Sequence, residues 1–403
     1  MDKPLAGIRV LDLSRILAGP WCSQHLADLG AEVIKVEHPK RGDDTRSWGP
    51  PYLKDTREAA YFLSANRGKE SVAIDIAHPE GQQLIRELAS QVDVVLENFK
   101  VGGLARYGLD YGSLKAVRPD LIYCSITGFG QDGPYAERAG YDFLLQGMGG
   151  LMSLTGQPES VPGSEPVKVG VAITDLFTGM YAATAILSAL LQRDRTGDGA
   201  WIDLSLLDVQ VGVLANQAMN YLTTGISPER MGNAHPNIVP YQVFPSADGH
   251  IILAVGNDTQ FQRFCEVAGI PELADDSDYA TNNSRVENRE QLIPQLSACI
   301  AKHPSAFWLD ELEKVGVPCG PINNLAQVFA DPQICHRGMR IERQHPVAGT
   351  VPLVSNPIRF NGHALNAETA PPALGEHTLE VLQRLLPNQD SRLDQLKIEG
   401  VIR

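Results

Sequence analysis

The sequence has no closely spaced cysteine pair. Cys22, Cys124, Cys265, Cys299, Cys319 and Cys335 stand singly, with no C-x-x-C among them. That excludes a zinc knuckle or a thiol–disulfide exchange motif and reads as buried thiols in a reducing compartment. Positive charge is also scarce: 34 Lys and Arg face 48 Asp and Glu, a formal net charge of −14. Such a chain has no electrostatic footprint for nucleic acid or an anionic membrane, and an anionic ligand must be met by local basic residues. Long hydrophobic runs are missing. The apolar stretch Tyr181–Leu191 is well short of the ~20 residues a membrane span needs. Met1–Leu13 shows no charged stretch followed by an apolar one, the pattern of a secretory leader, so a cytoplasmic protein off the membrane is expected. There is no H-E-x-x-H and no G-x-S-x-G, and no histidine stands four residues from Asp142, Asp175, Asp203 or Asp208. Neither a bound metal nor a serine-hydrolase elbow is expected.

What is present is an ordinary globular composition, 43% apolar and 20% charged over 403 residues, long enough for two or three domains of roughly 150 residues each. Ile8–Leu13 and Val33–Glu37 read as strands flanking a helix over 21–29 that ends at Gly30. Ser71–Ile76, Asp93–Glu97 and Leu121–Ser125 continue the alternation, with a helix opening at His78-Pro79-Glu80. Strands separated by helices predict an α/β fold with a parallel, Rossmann-like sheet. A long helix is expected over 176–192, with Asp175 at its N-cap, then a strand at Trp201–Ser205 and a helix over 206–222. The pattern changes near 226. A strand at 250–255 and helices over 258–267, 287–302 and 304–314 suggest a smaller α+β domain. Residues 331–403, proline-rich with one helix near 376–386, read as a returning arm.

Several residue patterns admit more than one reading. Gly128-Phe-Gly-Gln-Asp-Gly133 fits the dinucleotide pattern and follows a strand, but Pro134 blocks the helix that should open there, and no acid ends a strand about 20 residues on. A glycine loop lying against a ligand or another chain is the better reading. His235, His345 and His377, in loops near prolines or glycines, read as structural histidines. Asp175, by position alone, is either a helix cap or a nucleophile.

The ordered set of motifs narrows this. Pro4–Leu13, Ala18-Gly-Pro20, Leu29–Glu37, Gly42–Arg46, Asn66–Lys69, Val95–Phe99, Thr127–Tyr135, Gly140-Tyr-Asp142, Thr174–Met180, Gly316–Ile322 and Leu374–Thr378 together resemble the class III CoA-transferases over nearly the whole chain. The resemblance implies that Asp175 is the catalytic nucleophile, forming aspartyl anhydride and aspartyl-CoA thioester intermediates. It implies a CoA site built from Ile16, Leu17, Ala18, Ile74, Asn98, Phe99, Lys100, Arg106 and Tyr141, with Lys40 and Arg41 as further basic candidates. It also implies a large domain over 1–200, a linker over 201–225, a small domain over 226–330 and a returning arm over 331–403, closed into an interlocked, ring-like homodimer. Acyl-CoA and carboxylic acids are the implied small-molecule partners, with no permanently bound cofactor, since coenzyme A enters as substrate. Gly170–Leu176, Ile238–Phe244 and Gly320–Asn324 resemble family members that act on dicarboxylates. Leu17 stands where the formyl-CoA enzymes have glutamine. Succinyl-CoA as donor and glutarate or a related dicarboxylate as acceptor are therefore expected, with Arg46 or Arg138 taking the far carboxylate. A 2-methylacyl-CoA racemase is the rival reading within the resemblance. It needs a second base where this chain has Tyr141, and tyrosine is a poor base at neutral pH. A non-catalytic acyl-CoA binder would keep the basic contacts but would not need Asp175.

Overall fold

The computed structural model describes residues 3–53 and 56–403. The chain divides into two compact units, one comprising residues 1–151, 168–222 and 332–403, the other 152–167 and 223–331.

The first unit is built on six parallel strands, β1 (Arg9–Asp12), β2 (Glu32–Glu37), β3 (Lys69–Ala73), β4 (Val94–Glu97), β5 (Ile122–Thr127) and β6 (Ala200–Ser205). Their spatial order is β3-β2-β1-β4-β5-β6, the doubly wound order in which the winding reverses between β1 and β4. Aliphatic residues cover both sheet faces. Leu11, Ile34, Val72, Val95 and Tyr123 meet the Pro79–Ala89 helix on one side, and Val10, Val33, Val94, Ile122 and Cys124 meet the Ala18–Asp28 helix on the other. Burial on both faces is what a parallel sheet requires.

The second unit has a three-stranded antiparallel sheet, β7 (Tyr241–Pro245), β8 (His250–Ala254) and β9 (Cys319–Gly320). Helices Asp258–Ala268, Arg289–Ile300 and Ser305–Lys314 bury Phe261, Phe264, Leu292, Leu296 and Trp308 around it. This is a small α+β core, and its unit also takes in residues 152–167.

Three expectations change. Strand β6 pairs with β5 inside the main sheet, so residues just past 200 belong to the large unit's core. The 331–403 segment is more than an arm. Helices Thr378–Leu385 and Asp390–Ile398 bury Val381, Leu382, Leu385, Leu393 and Leu396 in the cluster that covers β1–β3. An antiparallel hairpin, Arg340–His345 with Gly349–Val354, precedes them. These apolar residues are spaced among prolines and charges, so their burial depends on long-range packing. Finally, the expected 176–192 helix runs over Ile173–Thr196, long and apolar enough by composition to cross a membrane. In the fold it packs against the Ala18–Asp28 helix and against β5 and β6.

Candidate active site

In an open doubly wound sheet, ligands bind beyond the carboxyl ends of the strands at the switch point. Here that crevice is lined by the turn after β1, Arg15–Ala18, and the segment after β4, Asn98–Lys100. The two are tied together. The Arg15 N–H donates to Asn98 Oδ1 at 2.8 Å, and Asn98 Nδ2 donates to the Arg15 carbonyl at 2.7 Å. The third wall comes from the Ile173–Thr196 helix. Its Gly179 lets it press on the start of the Ala18–Asp28 helix, since a Cβ there would lie 2.7 Å from the Ala18 carbonyl oxygen. Asp175, four residues earlier on the same helix face, is thereby brought to the turn.

Asp175 is the third residue of its helix, not the cap. Ala172 holds the N-cap position and gives no side-chain hydrogen bond. The free N–H groups are satisfied from another element: Asp142 Oδ1 accepts from the Thr174 N–H at 2.8 Å and the Asp175 N–H at 3.3 Å. Asp142 is set there by Gly128 and Gly140, which touch backbone to backbone. A Cβ on Gly140 would sit 2.5 Å from the Gly128 Cα. The glycine loop 128–133 thus lies close to its own chain, and this contact, which places Gly140-Tyr141-Asp142, explains the first of its glycines. The Asp175 carboxyl is half-buried, and its pKa is raised to about 7, first by burial and then by the Asp142 carboxylate. A carboxylate that is poorly hydrated and of raised basicity is a better nucleophile than one in water.

The cavity holding Asp175 is also lined by Ile16, Leu17, Ala18, Asn98, Phe99, Lys100, Arg138 and Tyr141, so most of the residues expected at the site converge. Ile74 and Arg106 line a second cavity of about 710 Å³, together with Arg41 and, shared with the first cavity, Arg15, Phe99 and Lys100. Arg41, Lys100, Arg106 and Arg138 have no carboxylate within 4.0 Å among the described residues. Unpaired cations along a cleft in an acidic chain mark a path for an anionic ligand. Arg46 is placed elsewhere. Its guanidinium is bidentate on Glu37 at 2.7 and 2.8 Å, also reaches Glu58 at 3.7 Å, and lies over the Phe62 ring. It lines neither cavity and is already neutralised, which corrects its assignment to a substrate carboxylate. Lys40 lines neither cavity either.

Tyr61 is a residue that sequence reasoning missed. Burial, with the carboxylates of Asp175, Asp142 and Asp43, pushes its hydroxyl up to about 12, so it stays protonated in the field of those carboxylates. No spacing rule marks a lone tyrosine in the short helix Ala60–Ser64. The three histidines have local structural roles. The Nδ1 atoms of His235, His345 and His377 accept backbone N–H groups of Asn237, of Val347 and Ala348, and of Ser71.

Asp142→Asn separates the two actions of Asp142. Its Oδ1 still accepts the helix N–H groups, but the negative charge is gone. An attacking carboxylate must be ionised, so with Asp175 in that role activity is expected to fall as pH drops below about 7. The substitution is expected to move that acid limb of log kcat/KM to lower pH by roughly one unit. An unmoved limb in rate measurements from pH 5 to 9 would remove Asp142 as a cause.

Fold and site together define a doubly wound α/β enzyme with a carboxylate-centred, cation-lined cleft at the switch point. The chain belongs to CoA-transferase family III, whose model matches residues 5–378. It is 52% identical to succinate–glutarate CoA-transferase of Agrobacterium fabrum, covering 95% of this chain and 96% of that protein. It is 45% identical to human succinyl-CoA:glutarate CoA-transferase, covering 99% and 90%. Among solved structures, a CAIB/BAIF family protein from Brucella suis superposes with a TM-score of 0.83 at 54% identity, covering 96% of this chain and all of that one.

Proposed function

We propose that this CoA-transferase moves CoA from succinyl-CoA to glutarate or a related dicarboxylate, with Asp175 as nucleophile. The observation that carries the reading is a half-buried carboxylate of raised basicity, at the meeting of a turn and a helix, in a cavity that also holds the unpaired Arg138. The names of the A. fabrum and human relatives support the pair of acids.

The Asp175 carboxylate attacks the thioester carbonyl, the C–S bond breaks, and CoA thiolate leaves an aspartyl–succinyl anhydride. The thiolate then attacks the aspartyl carbonyl, which frees succinate and leaves an aspartyl-CoA thioester. Glutarate repeats the sequence in reverse and departs as glutaryl-CoA. Both acids react as carboxylates, so no proton is moved and no histidine is required. Water would hydrolyse either intermediate, which is why a half-buried site suits the chemistry. The N–H groups at the start of the Ala18–Asp28 helix are the available donors for developing oxyanions. The larger cavity takes the phosphates of CoA through Arg41, Lys100 and Arg106.

The reading includes a homodimer, interlocked as the family resemblance implies, and a cytoplasmic site of action. Phe177, Tyr181 and Leu191 along the Ile173–Thr196 helix, and Met219, Tyr221 and Leu222 beyond it, are exposed in the single chain. Such apolar surface suits burial in an assembly. The reaction is tested with succinyl-CoA held saturating against a panel of mono- and dicarboxylates. Glutaryl-CoA formation faster than butyryl-CoA formation is expected. Equal rates would remove the dicarboxylate claim, and no acyl-CoA product with any acid would remove the transferase assignment to this acid class.

A further inference from the structure

Ile16 has a φ of +72°. A β-branched residue adopts this left-handed conformation only when its surroundings impose it. The surroundings here are an ion pair with no solvent exposure, Lys35 Nζ to Asp43 Oδ2 at 2.9 Å. Both Asp43 oxygens lie 3.3 Å from the Ile16 backbone nitrogen and accept its N–H. Lys35 also donates to the Ser14 carbonyl at 2.9 Å, and Asn98 holds Arg15 on both sides of the residue. The turn is therefore gripped at consecutive peptide groups, and the next residues, Leu17 and Ala18, line the cavity with Asp175. Lys35 projects from the interior of β2, one of the most costly places for an ammonium group. Asp12 on β1 and Glu37 on β2 also favour its charge, but the direct ion-pair contact is with Asp43.

We propose that Asp43, held in place by Lys35, is a positioning residue for CoA transfer: its carboxylate fixes the Ile16 N–H in the left-handed conformation that turns Leu17 and Ala18 toward Asp175. Without this acceptor, Ile16 relaxes to negative φ and the wall facing the nucleophile rotates away. The cations that hold the far end of the CoA ester are untouched, so the loss falls on kcat. The inference rests on the transfer chemistry at Asp175.

The test compares two proteins that share Lys35→Met, so that no ammonium is left unpaired. Asp43→Asn keeps an oxygen for the Ile16 N–H. Asp43→Ser keeps an oxygen able to cap Thr45, as Asp43 does at 3.0 Å, but is too short to reach Ile16 as well. The Ser protein is expected to have a kcat about 30-fold below the Asn protein, with KM for succinyl-CoA within about threefold. Adding Ile16→Gly to the Ser protein should recover about tenfold of kcat, because glycine holds positive φ unaided. Equal kcat in the Ser and Asn proteins at matched thermal stability, or no recovery with glycine, would overturn the proposal. If either double variant does not fold, hydrogen exchange in the unaltered protein decides. The Ile16 amide should exchange at least about 1,000-fold more slowly than a free amide. Exchange at the free rate would overturn the clamp. Chemistry at Asp175 is monitored separately by hydroxylamine trapping, so failure of the nucleophile reading is distinguishable from failure of the clamp.

Discussion

Asp175→Ala is expected to lower the transfer rate by about 10,000-fold or more while leaving a folded chain. The rate effect follows from the proposed role: Asp175 is the one carboxylate among the described residues that line the cavity, and without it the cavity offers no group to form an anhydride. The stability effect follows from the position. Asp175 is not the helix cap, and the Thr174 and Asp175 N–H groups keep their acceptor in Asp142. Its folded-state pKa of about 7 lies above the usual 3.8, so the folded chain binds a proton that the unfolded chain releases. Stability linked to this group is fully present below about pH 4 and is lost as pH rises through 7. Removing the carboxyl is therefore expected to stabilise the protein at pH 8, on the order of 1–2 kcal/mol after allowance for partial exposure. Urea unfolding at pH 5 and pH 8, with steady-state transfer rates, checks both halves. A variant retaining a tenth of the wild-type rate would refute the nucleophile assignment, and a less stable variant at pH 8 would refute the burial argument.

Arg138→Ala is expected to cost glutarate about 30-fold in kcat/KM and butyrate less than about threefold, since a charge-assisted pair of roughly 2 kcal/mol forms only with the diacid. Arg138 lines the Asp175 cavity and lies over the Phe129 and Tyr135 rings, at 5.2 and 4.5 Å. Those contacts hold a planar guanidinium without neutralising it, so its N–H groups remain available. The measurement is a two-by-two comparison of wild type and variant with the two acids at saturating succinyl-CoA. Equal losses would show that Arg138 supports the CoA half of the site or the loop, and would move the search for the far-carboxylate contact to another residue.

Much of this site is legible in the chain because it is assembled from short segments at strand ends. The turn Arg15–Ala18 and the segment Asn98–Lys100 follow β1 and β4, and a sequence that alternates strands and helices already says that such segments gather at one edge of a parallel sheet. Asp175 stands out only through the family resemblance, since one aspartate near a helix start is more often a cap. Arg46 misled because a cation in a motif region gives no sign of its partner. Glu37 neutralises it from a strand end nine residues earlier in the chain. Tyr61 left no local signal at all.

The amino-acid pattern carried the alternation of strands and helices and the parallel sheet it implies, and the family motifs named the segments at the strand ends. These are carried by local periodicity and by motifs within a few residues of one another. Long-range packing decided that Asp142 caps the helix carrying Asp175, that residues past 331 complete the core over β1–β3, and that Lys35 and Asp43 are buried together beneath a left-handed Ile16. Each of these depends on partners from separate elements. A burial, a raised pKa or a positive φ is set by what packs against a residue from across the fold, and the residue's own neighbours in the chain do not encode it.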